Sequence, residues 1–212
     1  MISDTSLLLG SAAVLGISHT LLGPDHYVPF IALGRARNWS AKRTLLVTTL
    51  CGVGHVLSSI LIGLAGITLG TKLLKLEAIE SFRGEIAAWL LLGFGIAYAL
   101  WGLRQAYNRR NKPEASAKMS SSAWILFIIF VLGPCEPLIP LLMFPSASIN
   151  AASLVAVSGV FLICTVGTML AAVALGYKGV SLFSWRTLQN YSHALAGGAM
   201  ASCAAMMLFL GL

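Results

Sequence analysis

The chain has 212 residues, 58% of them hydrophobic and 10% charged, with a mean hydropathy of +0.86 and a formal net charge of +7. A water-soluble domain of this size has no use for so much apolar sequence, so the composition points to helices that cross a lipid bilayer. No long polar run accompanies the positive charge, which excludes a nucleic-acid partner and leaves membrane topology as its explanation.

The apolar runs predict an all-α integral membrane protein with six transmembrane helices, over about 5–33, 44–69, 86–103, 121–144, 151–176 and 191–212. The first carries "SHTLLGPDHYVP" (18–29), which sets two histidines, an aspartate and a Gly-Pro pair inside apolar sequence. The N-terminus lacks the basic leader of a cleavable signal, carries Asp4 and runs directly into this motif. The second run contains "CGVGHVLSSILIG" (51–63), where Gly52, Gly54, Ser58 and Ser59 permit close helix approach around His55. Between the second and third runs, "TKLLKLEAIESFRG" (71–84) spaces Leu73, Leu76, Ile79 and Phe82 three apart, as a short surface helix or a solvated connector. The fourth run contains "LGPCEPLIPLLM" (132–143). His193 opens the sixth, where a core histidine held by one hydrogen bond is the expectation.

Two pairs of segments repeat in order. "LGPDHYVPFIAL" (22–33) aligns with "LGPCEPLIPLLM", and "CGVGHVLSSILIG" with "CTVGTMLAAVALG" (164–176). The chain therefore divides into a three-helix unit at 1–103, a basic linker at 104–120 and a second three-helix unit at 121–212, together forming one membrane domain. An odd number of spans per unit inverts the second copy in the membrane, an architecture that places a binding site near the midplane where the copies meet. Pro24 and Pro134 break spans 1 and 4, and open backbone at that depth must line protein or a cavity. Eleven of the fourteen Lys and Arg residues fall in the first, third and fifth loops, which predicts that these are cytoplasmic and that both termini lie outside.

Among the acids, Asp25 and Glu136 fall mid-span in this reading, each just after a Gly-Pro, with no Lys or Arg at the same depth. Buried charge is costly in a bilayer, on the order of 3 kcal/mol per group, so two such acids predict a cation site. His19, His26 and His55 with Asp25 suit a borderline metal such as Ni²⁺, Co²⁺, Zn²⁺ or Fe²⁺ better than an all-oxygen ion such as Ca²⁺. Cys135 and Glu136 are further candidate ligands or gating groups from the second half. No prosthetic group and no enzymatic activity are expected. The partners are the lipid bilayer and the metal ion, and the chain reads as a monomer or a homodimer.

His19-Thr-Leu-Leu-Gly23-Pro-Asp25-His26 follows the pattern H-x-x-x-G-x-D-H and resembles the signature of the nickel permeases associated with hydrogenase and urease operons. It is also similar to the H-x4-D-H signature of the wider nickel/cobalt transporter family, with one residue more between His19 and Asp25. The resemblance covers about residues 16–63. It implies a secondary transporter of Ni²⁺ or Co²⁺ in the bacterial cytoplasmic membrane, with His19, Asp25, His26 and His55 handling the metal. Thr20 stands where the hydrogenase-associated group carries proline. A second resemblance is that of "GPCEPLIP" to the proline-flanked cysteine motif of cytochrome-biogenesis and disulfide-reductase membrane proteins. It implies the alternative function, an electron relay between Cys135 and either Cys164 or Cys51.

Overall fold

The computed structural model describes residues 4–111, 122–143, 151–182 and 189–210. These form eight α-helices, with no strand among the described residues: α1 (Asp4–Leu22), α2 (Val28–Ala36), α3 (Ala41–Thr68), α4 (Leu73–Asn111), α5 (Ser122–Leu132), α6 (Leu138–Met143), α7 (Ala151–Leu182) and α8 (Ser192–Leu210). Five of them, α1, α3, α4, α7 and α8, are long and apolar enough to cross a membrane. The polarity of the bundle is that of a membrane protein. Large apolar side chains such as Leu22, Val155, Ile163, Leu175 and Phe209 face outward, while Thr20, Thr48, His55, Ser59 and Glu80 are buried. The inward threonines satisfy themselves, Thr20 donating to the Gly16 carbonyl at 2.7 Å and Thr48 to that of Thr44 at 2.9 Å.

The first predicted span is interrupted at its Gly-Pro. α1 ends at Leu22, a single 3₁₀ turn covers Pro24–His26, and α2 resumes at Val28. The fourth is interrupted as well, α5 closing at Leu132 and α6 opening at Leu138. Among the described residues neither piece is long enough to cross alone, and the two short helices flank open backbone. The ends of α3 carry their own signals. The Ser40 hydroxyl accepts from the Arg43 amide at 3.2 Å, capping the N-terminus. At the other end Gly70 adopts φ +62°, which lets the Thr71 amide reach the Gly66 carbonyl at 2.8 Å.

The third span departs from the sequence expectation. Residues 71–84 are neither a separate surface helix nor a connector, because from Leu73 onward they are the first turns of α4. No proline and only Gly84 and Gly93 separate Leu73 from Phe94, so nothing stops the helix from propagating. The helix also continues through 104–111, the first half of the predicted linker; residues 112–121 lie outside the described residues. At 39 residues α4 is about 58 Å long, roughly twice the hydrocarbon thickness. Glu80 and Arg83 thus belong to a long apolar helix. The expectation that Asp25 and Glu136 are the mid-span acids, with no cation at their depth, is corrected by this pair.

α4 packs along α8 in the most extensive helix pairing of the bundle. Small residues make this possible: a Cβ added to Gly95 would lie 2.6 Å from the Ala201 amide nitrogen, and one on Gly197 would strike the Ala99 backbone. Backbone cannot swing aside as a side-chain tip can. Gly197→Val is therefore expected to separate α4 from α8 and to destabilise the protein by about 1–3 kcal/mol, read as a lowered midpoint of thermal denaturation in detergent. Other pairings include α1 on α7, α3 on α7, α5 on α3, α2 on both α7 and α8, and α6 on both α3 and α4.

Candidate metal site

The break in the first span brings His19 and His26 together. Seven residues of unbroken helix would set them about 10 Å apart along the axis. The 3₁₀ turn folds His26 back, and the two ring centroids lie 4.6 Å apart at 80°. Gly23 makes the fold possible, since a Cβ there would meet His26 Nδ1 at 2.6 Å and Asp25 Oδ1 at 2.8 Å. From α3, His55 completes the group, with centroids 5.2 Å from His26 and 6.4 Å from His19. The glycine of the second Gly-Pro has the same task as the first: a Cβ on Gly133 would lie 3.3 Å from His55 Nδ1.

Hydrogen bonding sets which ring nitrogen is available. His26 Nδ1 lies 3.1 Å from the Gly23 carbonyl and 3.2 Å from Asp25 Oδ1. His55 Nδ1 lies 3.2 Å from the Phe130 carbonyl, on the last turn of α5. A carbonyl can only accept, so in both rings Nδ1 carries the proton and donates. The lone pair of each neutral ring is then on Nε2. The Nε2 atoms of His19, His26 and His55 are all buried without a hydrogen-bond partner. One ring nitrogen from each of the three lies within 4.8 Å of those of the other two, the one such cluster of ligand groups among the described residues. Three buried ring nitrogens without a hydrogen-bond partner, on rings packed against one another, are polar atoms that an interior rarely leaves unserved.

Asp25 takes a different part from that of a ligand. Its carboxylate stands behind His26 on Nδ1, where a carboxylate orients an imidazole and raises its basicity toward a metal on the far nitrogen. Cys135 and Glu136 do not join the cluster. Cys135 is fully buried in an apolar layer with Val56, Leu138, Leu142 and Phe161. Glu136 is exposed and lines a cavity of 780 Å³ that also reaches His19, Asp25, His26 and His55. The cavity lies between the two interrupted segments and is walled on its other sides by α4 and α8. All four cysteines are free thiols, and Cys51 and Cys135 belong to separate apolar clusters. His193 is at the far end of α8, half-buried, its Nδ1 2.8 Å from the Tyr98 hydroxyl and its ring against Trp101.

Glu80 and Arg83 are the residues that sequence reasoning missed. Glu80 is 0% exposed. It pairs with Arg83 and accepts from the Ser59 hydroxyl at 2.8 Å and the Cys135 amide at 3.1 Å. Arg83 in turn donates to the Ser58 hydroxyl at 2.8 Å and to the Val131 carbonyl at 2.9 Å. The pair therefore satisfies the backbone that Pro134 leaves open. Its signal in the sequence was an i, i+3 pair of opposite charges on a segment without a helix breaker.

No family model, curated protein or solved structure matches this chain. The functional reading accordingly rests on the site.

Proposed function

We propose that this protein is a membrane transporter of a divalent transition-metal ion, Ni²⁺ or Co²⁺ foremost, bound by His19, His26 and His55 and charge-balanced by Asp25. The observation that carries the reading is a cluster of three buried histidines whose ring nitrogens lie within 4.8 Å of one another and whose Nε2 atoms have no hydrogen-bond partner. Neutral imidazole is a ligand for nickel, cobalt, zinc and iron alike, and three of them leave coordination positions open toward the cavity for water and for exit. Nitrogens sharing one tetrahedral ion sit about 3.4 Å apart, nearer than the 4.8 Å limit within which these three lie. Loading would draw the rings inward, a movement that the break between His19 and His26 can absorb.

In this reading the chain is two inverted three-helix copies, and alternating access is the rocking of one against the other around the histidines. The packing supports the duplication: α1 lies on α7 as α5 lies on α3, and α2 touches α7 as α6 touches α3. Gly63 of α3 receives Leu142 of α6, while the aligned Gly176 of α7 receives Ile31 of α2. Following the distribution of basic residues, both termini are outside and the odd loops are in the bacterial cytoplasm.

Uptake of Ni²⁺, Co²⁺ and Zn²⁺ into proteoliposomes, with a binding isotherm for each ion, tests the proposal. Saturable binding of one ion per chain is expected. Protons compete for the same nitrogens, so affinity falls as the medium is acidified. A purified protein that binds none of these ions at neutral pH overturns the reading. Cys135→Ser separates it from the thiol relay: the variant is expected to keep its metal affinity within about twofold, since Cys135 is packed in an apolar layer apart from the three histidines. An electron relay through Cys135 would be abolished.

A further inference from the structure

The ion pair on α4, fully buried at Glu80 and partly at Arg83, stands beside both supports of His55. The Arg83 guanidinium donates to the Ser58 hydroxyl at 2.8 Å, and that hydroxyl donates to the His55 carbonyl at 2.8 Å, one turn back along α3. The same guanidinium donates to the Val131 carbonyl at 2.9 Å and lies 3.4 Å from that of Gly133. Phe130, whose carbonyl accepts from His55 Nδ1, is the neighbour of Val131 on the closing turn of α5. One planar cation thus fastens the α3 turn that carries His55 to the helix end that its ring bonds. Glu80 holds the cation in place and ties down the far side of the break through the Cys135 amide at 3.1 Å.

We propose that Glu80 and Arg83 are positioning residues for the metal site, which clamp the open end of α5 so that Phe130 holds His55 with its Nδ1 protonated and its Nε2 free to coordinate. The physics is that of an outer-shell partner one step removed. The closing turn of α5 cannot continue its helix past Pro134, and its carbonyls need donors from elsewhere. A guanidinium has five donors spread over a planar fork, enough to reach Glu80, Ser58 and the α5 carbonyls together, where an ammonium has three donors on one atom. Without it the turn frays, the Phe130 carbonyl moves, and the His55 ring is free to exchange tautomers or rotate. This role deepens the proposed function, and it is readable without any metal.

The test is ¹⁵N NMR of metal-free protein labelled at histidine, read at the two ring nitrogens of His55. Removing one charge of a buried pair endangers folding, so the main variant is Glu80→Gln/Arg83→Gln, which removes both. Ser58→Ala accompanies it, deleting one Arg83 contact without uncovering a charge. In the parent protein His55 is expected as a single neutral form protonated on Nδ1. In the double variant its signals are expected to show exchange between tautomers, with an Ni²⁺ dissociation constant raised about 10- to 100-fold; Ser58→Ala gives the smaller shift in the same direction. Unchanged His55 signals in the variants that fold overturn the proposal. If the signals respond as stated while the parent binds no divalent ion, the metal reading fails and the clamp stands.

Discussion

His26→Ala and His55→Ala are each expected to lose metal binding by on the order of 100-fold or more. The figure follows from dividing the roughly 10–16 kcal/mol of a four-ligand site equally, which is about 3 kcal/mol per ligand. Both rings are 3% exposed and both keep a buried Nε2 without a partner, so neither is readily replaced by solvent. His19→Ala is expected to follow them, since its ring faces both others. Asp25→Asn differs in kind. The amide oxygen can still accept from His26 Nδ1 but supplies no negative charge, so the outer-shell range of about 10- to 100-fold applies. Isothermal titration of detergent-solubilised protein with Ni²⁺ checks all four. Equal affinities for the His26→Ala variant and the parent would remove the metal site from consideration.

The second large effect is on stability. Arg83→Met is expected to destabilise the protein by about 3–5 kcal/mol, because Glu80 is left charged and fully buried with no cation beside it. Glu80→Gln in the Arg83→Met background is expected to recover much of the loss, as the uncompensated charge disappears while a Gln side chain still reaches Ser59 and the Cys135 amide. Thermal denaturation in detergent measures both. A single variant as stable as the parent would mean that the pair is solvated in the membrane protein and does not bind the break.

The same residues show how far the amino-acid pattern could be read. The interruptions at Gly23-Pro24 and Gly133-Pro134 were legible because proline removes a donor wherever it stands, whatever packs around it. The three clustered histidines were legible as candidate ligands because ionisable groups are rare in apolar runs and keep company where they occur. The extent of α4 was misjudged. Lys72, Lys75, Glu77, Glu80 and Arg83 read as a surface helix or a connector outside the spans when charge alone marks the end of a span, yet a helix ends by capping or by a breaker, and from Leu73 on this stretch has neither. Cys135 and Glu136 were placed beside the histidines by the repeat alignment. Position in a repeat does not give the direction of a side chain, and after the break Cys135 turns into the apolar layer while Glu136 turns to the cavity.

By itself the sequence determined an all-helical, apolar chain, the two places where its helices must break, and the residue types that a metal could use. These follow from local chemistry: hydrophobic run length, the missing amide of proline, and the lone pairs of imidazole. Only the tertiary structure decided that His19 and His26 face one another across the turn, that His55 joins them from α3, and that Nε2 is the nitrogen left free. It also turned Glu80 and Arg83 from apparent loop charges into the brace of the second break. Each of these depends on which backbone carbonyl comes to lie beside which side chain, and that is set by how distant helices pack.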